Sequence, residues 1–111
     1  MSTKVNESMS DKSIAFLENL TQRKITLGNL MWSVRECEEM SQAAFANMLG
    51  VSRQYLCDIE HGRRIVSPKS AADFATKLGY STMQFVRLAV QDELDKYGLH
   101  YDIHLTKSKA A

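Results

Sequence analysis

Apolar residues recur at three- and four-residue intervals from Leu27 to Tyr97, and polar or glycine punctuation divides that stretch into five segments. Leu27, Leu30, Met31, Val34 and Cys37 predict a helix from about Leu27 to Glu39, with Thr26 as its cap and these five residues facing the core. Ser41 caps a second helix, Gln42 to Leu49, whose Phe45, Ala46 and Leu49 point inward. Gly50 follows as a left-handed turn residue. Ser52 caps a third helix, Arg53 to about His61, with only Leu56 and Ile59 inside, Tyr55 at the flank and Gly62 at the stop. Such a narrow apolar stripe leaves most of a helix exposed. Ser67-Pro68 opens a fourth helix lined by Ala71, Phe74, Ala75 and Leu78 and ended by Gly79. Ser81 caps the fifth, Thr82 to about Tyr97.

The fifth segment carries two apolar stripes. Met83, Val86, Val90, Leu94 and Tyr97 form one; Phe85, Leu88 and Ala89 form the other. A domain this small has difficulty burying both, so Phe85, Leu88 and Ala89 are expected either at a homodimer surface or against the N-terminal helix. That N-terminal helix is expected over Asp11 to Leu20, on Ile14, Phe16, Leu17 and Leu20, after a polar, aperiodic and disordered start at Met1 to Met9. Trp32 lies off the stripe of its own helix, and it is expected either to pack on the N-terminal helix or to stand exposed and contact a partner. After Gly98 the period changes. Leu99, Tyr101, Ile103 and Leu105 alternate with polar residues, which predicts a short β-strand. A lone strand needs a partner edge, and the same strand of a second subunit or a strand of another protein would supply one. The expected organisation is an extension over residues 1–25, a central domain over 26–80, and a dimerisation or partner element over 81–111.

Composition narrows the class. At 111 residues, 44% hydrophobic and 24% charged, the chain reads as one globular domain with tails. No apolar run reaches the roughly 18 residues of a membrane span and no signal-peptide core is visible, so the expected location is cytoplasmic and no membrane partner is expected. Cys37 and Cys57 have no CxxC pairing, and His100 and His104 are completed by no Cys or carboxylate cluster. No metal site, structural disulfide or cofactor is expected. No Ser/His/Asp arrangement or phosphate loop appears, so no enzyme is expected. The net charge is only +1, yet no acidic residue occurs from His61 to Ala72, a stretch holding Arg63, Arg64 and Lys69.

The spacing from Gln42 onward is the most specific signal. Ala46 is small where two helices cross, Gly50 makes the turn, and Phe45, Leu49, Val51, Leu56 and Ile59 wedge the helices apart. With the Ser41-Gln42 opening and the Glu60-His61-Gly62 exit, this stretch closely resembles the Xre/Cro, phage-repressor-like helix-turn-helix family, from about Thr26 to Gly79. The resemblance implies an all-α fold: a five-helix phage-repressor-like DNA-binding bundle, here with an N-terminal helical extension and the short C-terminal strand. It implies double-stranded DNA as partner, major-groove recognition and a homodimer.

Carried onto this chain, the resemblance places Ser52, Arg53, Gln54, Cys57 and Asp58 at base edges. Arg53 suits guanine O6/N7, Gln54 suits adenine N6/N7, and Asp58 would accept from a cytosine amino group or orient Arg53 or Arg63. Gln42, Tyr55, Arg63, Arg64 and Lys69 would contact the DNA backbone. Phe85, Leu88, Ala89, Leu99, Tyr101, Ile103 and Leu105 would meet a second copy or another partner. The implied function is a sequence-specific transcriptional regulator, a repressor, binding an inverted-repeat operator as a homodimer. The alternative is an antitoxin that binds its toxin through an end of the chain and autoregulates its operon.

Overall fold

Five helices each open on a hydroxyl side chain that accepts a hydrogen bond from a backbone amide in the first turn. The computed structural model describes residues 25–109 and places α1 at Leu27–Cys37, α2 at Gln42–Leu49, α3 at Arg53–Glu60, α4 at Pro68–Leu78 and α5 at Thr82–Lys96. Thr26 caps α1 in a reciprocal box with Asn29, and Ser41, Ser52, Ser67 and Ser81 cap the other four. Each cap satisfies an amide that the helix itself leaves unbonded. The expected helix over Asp11 to Leu20, and with it the proposed contact of Trp32, lies outside the described residues.

One core holds the five together. α2 pairs with α3, α1 crosses α3 and α5, and α4 packs on α2 and most extensively on α5. Leu27, Leu30, Met31, Val34, Phe45, Ala46, Leu49, Leu56, Ile59, Val66, Ala71, Phe74, Ala75, Phe85, Leu88 and Ala89 are all buried in it. Most of these were expected inside. Cys37 was too, but it is exposed because α1 ends there. The chain turns at Glu39, which adopts φ 56 where the other helix stops use glycine.

Two expectations at the C-terminal end are corrected. Phe85, Leu88 and Ala89 are buried within one chain and are unavailable to a second copy. Both stripes of α5 are apolar, so their composition does not say which faces in. Packing on α4 decides it, with the Phe85 ring tilted against Tyr80 at 6.1 Å between centroids. The other stripe is the more open one: Met83 and Tyr97 are exposed, and Val86, Val90 and Leu94 are half-buried. The second correction concerns Leu99, Tyr101, Ile103 and Leu105. No strand forms among the described residues. The segment has no regular secondary structure, and a side chain bonds the backbone that a partner strand was expected to bond. Gln91 Nε2 donates to the Tyr101 carbonyl at 2.7 Å, and the Ile103 N–H donates to Gln91 Oε1 at 2.8 Å.

Asp92 on α5 faces a cavity of about 310 Å³ shared with Leu27, Ile59, Ile65 and Val66. Burial pushes its carboxyl up from 3.8 to about 6, against the Leu27 N–H that donates to it at 2.9 Å. A carboxyl whose pKa is higher in the folded chain than in the unfolded one favours folding when protonated. Its contribution is complete below about pH 4 and is lost as pH rises through about 6. Over that interval roughly 3 kcal/mol is at stake, as an upper figure. Asp92→Asn keeps an acceptor for Leu27 and is expected to flatten this dependence and to raise stability near neutral pH. Urea unfolding at pH 4 and pH 7.5 checks it; an Asn variant no more stable than wild type at pH 7.5 would refute the assignment.

Candidate nucleic-acid interface

The turn between α2 and α3 is built from Gly50, whose φ of 79 suits a residue without a side chain. The Val51 N–H donates to the Ala46 carbonyl at 3.0 Å, closing α2. Lys77 of α4 reaches the same end, its Nζ donating to the Leu49 carbonyl at 3.0 Å while pairing with Asp73. A cation there suits the negative end of the helix dipole. Lys77 had no place in the sequence reading.

Across this turn α3 buries Leu56, Ile59 and Glu60 and exposes the opposite face. Ser52, Arg53 and Gln54 at its start are exposed, and Tyr55, Cys57 and Asp58 are half-buried. Ser52 has a structural task as well, since its Oγ accepts from the Tyr55 N–H at 3.0 Å. Two polar systems organise the rest.

The first runs through the helices. Arg35 of α1 grips Glu60 at the end of α3 with Nε on Oε2 at 2.7 Å and Nη2 on Oε1 at 3.1 Å. Its Nη1 donates to the Met40 carbonyl at 3.0 Å. Gln42 Nε2 donates to Glu60 Oε1 at 3.0 Å, and Arg53 Nη1 donates to Gln42 Oε1 at 3.1 Å. The relay therefore joins α1, the end of α3, the start of α2 and the start of α3. The Glu60 side chain is only 2% exposed. The carboxylate holds the Arg35 guanidinium pKa above its ordinary value. Gln42 keeps a second amide proton for a phosphate, but its first task is internal. Arg35 and Glu60 were missed as a pair. The available signal was that Glu60 follows Leu56 and Ile59 on the inner stripe, at i+4 and i+1.

The second system lies beyond the α3 C-terminus. Arg63 Nε donates to Asp58 Oδ1 at 3.0 Å, and Gln54 Nε2 donates to the same oxygen at 3.0 Å. The Gln54 amide first, and Arg63 with it, hold the Asp58 carboxyl below its usual range. Asp58 thus orients Arg63 and Gln54, while Arg53 is held by Gln42. Arg63 Nη2 also lies 3.5 Å from the Cys57 sulfur. The Arg64 guanidinium sits 4.5 Å from the centroid of the Tyr55 ring, a cation–π contact that aligns both on one flank. Lys69 is exposed in the first turn of α4.

Residues 34–85, from inside α1 to the start of α5, match the family described as Helix-turn-helix. This is a helix-turn-helix domain of the Xre/Cro type. Such a domain indicates a DNA-binding transcriptional regulator. No curated protein and no solved structure matches the chain. Within the helix-turn-helix, α3 is the second helix, and the expected base-reading residues lie on or beside its outer face. The expected backbone-contacting residues flank it: Gln42 at the start of α2, Tyr55 on its side, and Arg63, Arg64 and Lys69 beyond its end. Among the described residues no helix is long and apolar enough to cross a membrane. Among them, too, no three His, Cys, Asp or Glu side chains gather as a metal site.

Proposed function

We propose that this helix-turn-helix protein is a sequence-specific repressor that binds an inverted-repeat operator as a homodimer. The observation that carries the reading is the exposed start of α3, Ser52 to Gln54, flanked by Arg63, Arg64 and Lys69 with no acidic residue between His61 and Ala72. In this reading α3 enters the major groove by its N-terminal end. Arg53 leaves Gln42 and offers two parallel N–H donors to guanine O6 and N7. Gln54 exchanges Asp58 for an adenine edge, and Asp58 retains Arg63 toward the backbone. Cys57, one turn on from Arg53, faces the same groove. Arg63, Arg64 and Lys69 fix register on the phosphates, with Tyr55 steadying Arg64. Gln42 ties the first turn of α2 to the backbone.

The net charge of +1 gives one domain only a weak field for DNA. Two copies double the phosphate contacts and the base readout, and place their reading helices about one helical turn apart, roughly 34–36 Å.

Selection from random double-stranded DNA, followed by footprinting, tests the reading. A symmetric site protected by a dimer is expected. Arg53→Ala is expected to cost about 1–3 kcal/mol on that site and to relax preference at one base position per half-site. An equal loss on random DNA would move Arg53 from base to phosphate. A chain that selects no sequence would refute the repressor reading.

A further inference from the structure

The cavity of about 310 Å³ beside Asp92 lies where the start of α1, the exit from α3 and the last turns of α5 converge. DNA binding as proposed uses only Arg64, at its rim. The volume falls at the lower end of pockets that hold small ligands, about 300–1,000 Å³. Leu27, Ile59 and Val66 are buried in its wall and Ile65 is half-buried, so its interior is largely apolar. Water there finds few hydrogen-bond partners and is readily displaced by an apolar group.

Charge is spread unevenly over this lining. Arg64, Asp95 and Lys96 are exposed at the rim, where water and salt screen them. Asp92 is the charged residue drawn inward. Its Oδ2 accepts from the Leu27 N–H at 2.9 Å, and no cation pairs with it among the described residues. Burial raises its carboxyl to about 6; the Leu27 N–H and Arg87 oppose the shift, and Asp95 adds to it. At neutral pH the group is therefore an anion, largely withdrawn from water, without a counter-charge. That state costs stability until a cation reaches it. A perturbed carboxylate facing an apolar cavity is the combination that ligand sites show.

We propose that this cavity binds a small primary ammonium ion with an apolar body, its charge on Asp92 and its hydrocarbon against Leu27, Ile59, Ile65 and Val66. The chemistry of the lining selects that class. A primary ammonium brings the positive charge and N–H donors to a carboxylate that, when ionised, only accepts. A quaternary ammonium is held by aromatic faces, and among the described residues no aromatic ring lines the cavity. A divalent metal ion needs more oxygen ligands than Asp92 and the rim carboxylate of Asp95 supply. An anion would meet Asp92 as a like charge. The bound ammonium ion would lie against Gly62, Ile65 and Val66, in the stretch that also carries Arg63 and Arg64.

Three probes of one shape test this on the full-length chain by amide NMR titration: benzylammonium, uncharged benzyl alcohol and anionic benzoate. At pH 7.5 benzylammonium is expected to shift the Leu27, Gly28, Gly62, Ile65 and Val66 amides saturably, with an affinity roughly tenfold or more above either of the others. Asp92→Asn is the matching variant, because loss of this charge is expected to stabilise the fold rather than break it. It should weaken benzylammonium roughly tenfold and leave benzyl alcohol unchanged. Between pH 7.5 and pH 5 the wild-type affinity should fall as Asp92 protonates, while the Asn variant stays level. Arg87, Asp95 and Lys96 on α5 and Arg64 on the exit segment are the other charges around Asp92, and α1 adds none to the lining. A fall with pH that persists in the Asn variant would belong to those groups and overturn the role of Asp92. Benzyl alcohol binding as well as benzylammonium would overturn the proposal and leave an apolar hollow. Tighter binding of benzoate would make Arg64 and Lys96 the site. No saturable shift at these amides would mean that the cavity is closed to small molecules in solution, and would overturn it outright.

Discussion

Glu60→Ala is expected to lower the unfolding free energy by about 3–5 kcal/mol, a third or more of what a domain of this size commonly has. The variant removes a carboxylate but leaves its partner. Arg35 would keep its Nη1 bond to the Met40 carbonyl, while its Nε and Nη2 would lose both acceptors in a site where its side chain is 11% exposed. Glu36 is a poor substitute, at 3.8 Å and largely in solvent. The loss should extend to the interface. Without Glu60 the Gln42 amide has no internal acceptor, and Arg53 is no longer held at the start of α3. Denaturant unfolding measures the stability term. A paired variant, Arg35→Met with Glu60→Leu, is expected to recover most of it, because it removes both charges and fills the space. A single-variant cost under about 1 kcal/mol would mean that water reaches Arg35 and that the pair belongs to the surface.

Gly28→Ala is expected to destabilise by about 3 kcal/mol, although alanine is the better helix former by nearly 1 kcal/mol. Gly28 lies inside α1 where it crosses α3. A Cβ there would collide with the Ile59 carbonyl oxygen and lie 3.2 Å from its carbon. Both atoms are backbone, so no rotamer change can clear them. The helices must separate, and the layer formed by Leu27, Met31, Leu56 and Ile59 would loosen with them. Since α3 carries the proposed reading face, DNA affinity should fall more than the loss of folded protein explains. Thermal unfolding and operator titration at a temperature where the variant remains folded separate the two effects. A variant that melts at or above the wild-type temperature would show that α1 slides along α3 without cost.

The two expectations share an origin in what a one-dimensional reading weighs. Five helices and their limits were legible because each limit is a local event. A hydroxyl next to an apolar period starts a helix, and glycine in a left-handed conformation ends it. α2 and its turn came out at their expected bounds for that reason. Gly28 carries no such local mark, since a glycine within a helical period reads as a weak position until the helix crossing it is known. Arg35 and Glu60 lie 25 positions apart, and their pairing depends on the crossing of α1 and α3. Read separately, each resembles the exposed charges around it.

The C-terminal end shows the same limit. Alternation from Leu99 to Leu105 predicts a strand, and the segment forms none. Alternation cannot say whether a strand or a single glutamine satisfies that backbone, and Gln91 lies on a different element. The choice between the two stripes of α5 was equally closed to pattern. Phe85, Leu88 and Ala89 face inward because α1 and α4 converge on that side.

By itself, then, the sequence determined where the helices start and stop, the helix-turn-helix spacing from Gln42 to Ile59, and the residues that stand on the outer face of α3. Those properties depend on neighbours within a few positions, through caps, turn glycines and helical period. Only the tertiary structure decided which face of α5 is core, what holds the C-terminal segment, and how Arg35 and Glu60 reach Arg53 through Gln42. Those depend on distances between elements, which arise from packing all five helices at once and are written in no single stretch of the chain.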